Sequence, residues 1–198
     1  MDDIEGWIFW VSRMAAVVSM LRGVNVGSHN RIKMDDLRRL YESLDLRDPQ
    51  TYIQSGNVVF KTGERNLAAL SERIGKGIER SFGFRTGVLL RTTSELRNVV
   101  EKNPFAARPD IDPSKLLVTF LASKPDREAR ENVLTIETDP EEMRIEGREV
   151  YIYFPNGMGR PRLSWPVIER KLETSGTGRN WNTVLKLLEM AERLEVSG

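Results

Sequence analysis

Thr51–Lys61 reads TYIQSGNVVFK, with β-type residues entering through Tyr52 and Ile53 and leaving through Val58, Val59 and Phe60. Between the two apolar runs stand two amides, a hydroxyl and a glycine. Such a Ser-Gly-Asn break closes a tight turn or a bulged kink, so two neighbouring strands are joined by a hairpin. Parallel strands need a long crossover connection instead, and this join therefore argues against a doubly wound sheet. The break also gathers Gln54, Ser55 and Asn57 at one strand end, where a ligand can meet them. A plain hairpin turn whose polar groups bond their own backbone accounts for the same residues.

The chain around this hairpin falls into a recognisable order. Ala15–Leu21 is a compact apolar run, a buried strand ending at Arg22-Gly23, and Gly23–Asn30 is a loop. Met34–Leu44 sets Leu37, Leu40, Tyr41 and Leu44 on one helical face, with Asp35 and Asp36 in the dipole-favoured first turn. Asn66–Phe82 repeats apolar positions at Leu67, Leu70, Ile74 and Ile78, and Thr86–Leu90 is another strand. The order through Thr92 is β-α-β-β-α-β, the ferredoxin-like arrangement. Ser94–Glu101 is a linking helix, and the proline-bearing stretch Asn103–Pro113 marks a boundary.

The second half repeats the theme. Leu116–Leu121 is a strand, Arg127–Leu134 a short helix, and Met143–Ile145 and Val150–Phe154 are strands flanking Glu146-Gly147-Arg148. Pro166–Leu172 and Thr183–Leu194 are helices. The expected fold is α+β, two ferredoxin-like βαββα units in tandem plus an extra C-terminal helix. Residues 1–13 form an N-terminal extension, 14–102 the first unit with its linking helix, and 103–198 the second unit with the C-terminal helix.

Composition removes several function classes. A formal net charge of +1 advertises no global basic field for nucleic acid or an acidic membrane. The chain has no cysteine, which excludes disulfides, thiolate metal sites and cysteine nucleophiles. A single histidine, His29, lies in a Gly/Ser/Asn-rich loop, and no G-x-S-x-G elbow accompanies it. No apolar run approaches the roughly 18 to 20 residues of a membrane span. Acidic residues precede Trp7–Val11, unlike the basic start of a secretory signal, so the reading is a cytoplasmic protein.

The polar clusters supply the candidate site residues. Arg22-Gly23-Val24-Asn25-Val26-Gly27 follows a strand and precedes a helix, yet it matches neither the Walker pattern nor G-x-G-x-x-G. Asp35 and Asp36 at that helix start would repel a phosphate, leaving a Gly-rich connection whose Arg22 and Asn25 contact ligand. Pro155–Ser164 (PNGMGRPRLS) carries Asn156, Arg160 and Arg162, a basic surface loop or a guanidinium fork for a phosphate or carboxylate. Gly178–Thr183 precedes the last helix, where Asn180, Asn182 or Thr183 caps it. Arg179 beside free helix N–H groups would make an anion-receptive entrance facing Gln54–Asn57. The carboxylates at Asp110, Asp112, Asp139, Glu141 and Glu142 read as solvent-facing loop charge, so neither a metal nor a cofactor is expected.

Several blocks together resemble a bacterial family known as domain of unknown function 1697. They are MLRGVNVG at Met20–Gly27, KMDDLRRL at Lys33–Leu40, TYIQSGNVVF at Thr51–Phe60, NPF at Asn103–Phe105, VTFL at Val118–Leu121, REVYIYFPNGMGR at Arg148–Arg160 and RNWNT at Arg179–Thr183. The resemblance runs from about Met14 to the end and implies an α+β fold with ferredoxin-like halves, with no activity, substrate or catalytic residue attached. Two departures stand out. Members start shortly before the first strand, which makes residues 1–13 an extension and Met14 a natural start. RPRLSWP after Gly159 replaces a commoner Ser-Lys pair.

The functional expectation is a binding protein whose ligand-binding residues are Arg22, Asn25, Gln54, Ser55, Asn57, Asn156, Arg160, Arg179, Asn180 and Asn182. Arg, Asn, Gln, Ser and Gly bind phosphates and base edges well and are poor general acids or bases. The ligand would be an anionic small molecule, a nucleotide or single-stranded nucleic acid, the last unsupported by net charge. An enzyme acting on a phosphorylated or acylated substrate, with Ser55 as its nucleophile, and a structural or interaction module are the alternatives.

Overall fold

Ala15–Leu21 forms β1, apolar at nearly every position, and every residue after Ala15 is buried. A strand with two buried faces belongs in the middle of a sheet. In the computed structural model, which describes residues 14–159 and 161–197, β1 pairs antiparallel with strands on both sides. The expected extension 1–13 and Arg160 lie outside the described residues.

After β1 come α1 (Met34–Ser43), β2 (Arg47–Tyr52), β3 (Asn57–Thr62), α2 (Leu67–Phe82) and β4 (Val88–Thr92), then α3 (Thr93–Glu101). The sheet order is β2-β3-β1-β4. Helices α1 and α2 bring Leu37, Tyr41, Leu70, Ile74 and Ile78 onto Val17, Leu21, Val58 and Phe60. Tyr41 packs edge-on to Phe60 with ring centroids 5.3 Å apart, and its hydroxyl shares a 2.7 Å hydrogen bond with Ser19 Oγ. Burial of this phenol pushes its pKa far above the ordinary tyrosine range, the Ser19 bond opposing part of that shift.

The second set begins with a 3-10 turn at Pro113–Lys115 and continues as β5 (Leu116–Leu121), α4 (Arg127–Leu134), β6 (Glu142–Glu146), β7 (Glu149–Tyr153), α5 (Trp165–Leu172), β8 (Gly176–Asn180) and α6 (Trp181–Val196). Its sheet order is β6-β7-β5-β8, the same topology as the first. Two tandem α+β units with a C-terminal helix are as expected, and β8 adds a fourth strand that completes the second unit as βαββαβ. Its sequence, GTGRN, hides it: glycines alternate along it and weaken the β signal. The glycines have a packing reason. A Cβ on Gly176 would lie 2.8 Å from Thr119 Cγ2 and 2.9 Å from both Phe120 O and Trp165. Because β8 runs straight into the last helix, α6 starts at Trp181, two residues before the expected Thr183.

The two sheets share one unusual feature. Val18 of β1 pairs with Arg91 of β4, and Val118 of β5 pairs with Arg179 of β8. Both arginines are buried, at 2% and 6% exposure. Each donates from Nη1 to the carbonyl of the residue before it, Leu90 at 3.0 Å and Gly178 at 2.8 Å. By contact density the chain divides into two compact units, one running to Arg97 and including residues from Lys186 onward, the other spanning Asn98–Leu185.

Candidate ligand-binding cleft

The C-terminal end of β1 is held on both sides. Leu21 N–H donates to Gly56 O in the β2–β3 turn and Arg22 N–H to Gly87 O before β4, each at 2.9 Å. Tyr52 and Asn57 form the last pair of the hairpin, so the loop is Ile53-Gln54-Ser55-Gly56. Gly56 sits at φ 70°, and a Cβ there would lie 2.8 Å from Leu21 Cβ. Only glycine fits both demands. Asn57 is fully buried, and its amide donates to Tyr52 O at 3.2 Å and Ser55 Oγ at 2.9 Å.

Asn25 ties the β1–α1 loop to this turn. Held at φ 57°, it donates from Nδ2 to Gln54 O at 2.7 Å and to Ile32 O at 3.0 Å, and its Oδ1 accepts from Ile32 N–H at 2.8 Å. The clamp leaves an open cleft of about 630 Å³ between the loop, the turn and the end of α2. Asn25, Gln54, Arg31 and Lys33 supply its polar wall, with Ile32 and Phe82 as apolar surface. Among the described residues neither Arg31 nor Lys33 is in an ion pair, whereas Asp36, which also lines the cleft, is held by Arg39, and Asp35 by Arg38. Lys33 is the N-cap of α1 and gives it no side-chain cap. The two aspartates expected to repel an anion are each paired with an arginine one turn on, and two cations line the cleft beside Asp36.

The other predicted residues are placed as follows. Arg22 is exposed at the strand end beside Gly87 and outside the cleft lining, and Ser55 is half-buried in the turn. Asn156 is exposed after β7, and Arg160 lies outside the described residues. Arg179 belongs to β8 and is buried, with Nη1 donating to Thr177 Oγ1 and Gly178 O, both at 2.8 Å. That is a correction: the guanidinium is inside its unit and not at an open helix entrance. Desolvation lowers its pKa to about 10. Asn180 Oδ1 accepts from Asn182 N–H at 3.0 Å while its Nδ2 donates to Ser114 O at 2.7 Å, so it caps α6 and pins the chain before β5. Arg162 donates from its backbone to Glu141 Oε1 at 3.0 Å and from Nη1 to Asp139 O at 3.3 Å. Glu141, expected to face solvent, is instead buried.

Sequence reasoning missed Arg31, Lys33 and Phe82. The readable signal was two cations within three residues immediately before a helix. A second cleft of about 630 Å³ surrounds the start of α4, lined by Lys124 and by several groups that are engaged. Arg127 pairs with Glu131 at 2.7 Å, Arg130 donates to Ile145 O at 3.0 Å, and Asp126 accepts from Ala129 N–H at 2.8 Å. Among the described residues no group of three acidic, histidine or cysteine side chains is arranged to hold a metal, and no helix is long and apolar enough to cross a membrane.

The family model described as "Protein of unknown function (DUF1697)" matches residues 14–151. The fold is similar to the solved structure of conserved bacterial protein SP0830 from Streptococcus pneumoniae, with a TM-score of 0.68 and 20% identity over 90% of this chain and 99% of that one. No curated protein matches the chain.

Proposed function

The chain belongs to the DUF1697 family, which carries no assigned activity, and we propose that it binds a phosphate-bearing small molecule or nucleotide in the cleft beside β1. The observation that carries the reading is the pair Arg31 and Lys33, without carboxylate partners among the described residues, on a loop clamped by Asn25. An arginine offers a planar fork and a lysine a mobile point charge, the two cationic ways of holding a phosphate. A loop already fixed by three Asn25 hydrogen bonds has little conformational freedom left to lose on binding. Gln54 is exposed at the same wall and adds a neutral donor and acceptor. With a net charge of +1, attraction is local to the cleft, which suits a ligand with a few phosphates better than a long nucleic acid.

Calorimetric titration with inorganic phosphate, pyrophosphate, AMP, ATP and mixed oligonucleotides tests the proposal. Saturable binding of a phosphorylated ligand that weakens with salt is expected, and Arg31→Ala with Lys33→Ala should reduce it about tenfold or more. Absence of binding across the panel, or a double variant that binds as the parent does, contradicts it.

A further inference from the structure

Ile53 breaks two rules at once, beside the cleft. Six described non-glycine residues have positive φ: Asn25, Asn30, Asp45 and Asp48 are types that tolerate the left-handed region, Glu173 is an unbranched helix C-cap, and the sixth is Ile53. Ile53, at φ 50°, is β-branched and is not such a type. Its side chain gains only partial burial in return, since the residue is 51% exposed. Nor is it alone: Val26 is 69% exposed. The two flank one hydrogen bond, Asn25 Nδ2 to Gln54 O at 2.7 Å, with Val26 following Asn25 and Ile53 preceding Gln54. A strained backbone carrying an exposed aliphatic side chain is a loss to the folded chain, and asparagine or glycine would fit that turn better. Neither Ile53 nor Val26 lines the cleft itself, but each is the chain neighbour of a residue that does, Gln54 or Asn25, and exposed apolar surface next to a cationic cleft has a natural use in a ligand with both characters.

We propose that Ile53 and Val26 form an apolar rim that receives the planar base of a nucleoside phosphate whose phosphate group lies at Arg31 and Lys33. This rests on the phosphate-binding reading of the cleft and adds what else the ligand must carry. The base would lie against aliphatic groups and not enter a hydrogen-bonding pocket, so recognition discriminates little between bases. The same chemistry is offered by a free nucleotide and by the phosphorylated end of a nucleic-acid strand.

Ile53→Asn separates the roles, because asparagine relieves the backbone and removes the apolar surface. Its thermal midpoint should equal or exceed that of the parent. AMP should bind the variant several-fold more weakly, as expected for loss of apolar contact with a base. Pyrophosphate, which has no base, should bind parent and variant alike. Val26→Ser should weaken AMP in the same direction. A 5′-phosphorylated dinucleotide binding the parent more tightly than AMP identifies a strand end as the ligand, and the reverse identifies a free nucleotide. If both AMP and pyrophosphate bind and Ile53→Asn leaves AMP unchanged, or weakens both equally, the rim is overturned while the phosphate site stands. If the parent binds neither, both proposals fail together.

Discussion

Gly56 shows how much one position decides. At φ 70°, with Leu21 Cβ 2.8 Å from where its own Cβ would be, it lets the hairpin turn close onto the end of β1. Gly56→Val should cost about 1 to 3 kcal/mol from backbone strain and steric overlap, read as a lower thermal midpoint. An unchanged midpoint would mean the turn closes some other way. Tyr41 is a second such position: Tyr41→Phe keeps the ring on Phe60 but removes the hydroxyl bonded to buried Ser19. A loss of about 1 to 2 kcal/mol in urea unfolding is expected, since a buried hydroxyl then lacks its partner. Asn57, polar at a strand end, reads from the sequence as a ligand contact. Its amide is instead engaged by Tyr52 and Ser55, a distinction that only burial reveals.

At the scale of elements, strong periodicity made the strands and helices of the first unit legible. Leu37, Leu40 and Tyr41, and Leu70, Ile74 and Ile78, are buried at the spacing read from the chain. Strand β8 was not legible, because its residues were selected by what they sit against. Gly176→Ala makes this testable: the added methyl meets Phe120 O at 2.9 Å, and backbone does not yield as a side chain does. Destabilisation of about 1 to 3 kcal/mol should follow, larger than for alanine at exposed Gly159, where a Cβ meets nothing within 4 Å. Equal effects at the two positions would contradict the tight packing of β8 on β5. The cleft was half legible for a related reason. Asn25 and Gln54 sit in conspicuous Gly/Asn/Ser stretches, but Arg31 and Lys33 look like any surface charge until the fold shows them beside Asn25 without carboxylate partners among the described residues.

Taken as a whole, the chain is a βαββαβ unit written twice, with a buried arginine at the same register in each sheet. Its response to alkali follows from buried groups in both units. Tyr41 and Tyr151 have phenol pKa values raised chiefly by burial. An unfolded tyrosine ionises near about 10, so the stability these two contribute is complete below that pH and is lost as pH rises through and beyond it. Arg179 works the other way: its pKa, lowered to about 10 by desolvation, leaves a burial penalty that is constant below that pH and relaxes above it. The two phenols therefore predict unfolding in alkali, with both ionising only as circular dichroism is lost. Early ionisation of all four tyrosines in the folded state would contradict the burial. The central claim, that the cleft beside β1 receives phosphate, is tested most directly by amide chemical-shift mapping during a pyrophosphate titration. Shifts concentrated at Asn25, Arg31–Lys33 and Gln54 are predicted. Shifts centred instead on Lys124–Leu134 at the second cleft, or none at saturating ligand, would contradict it.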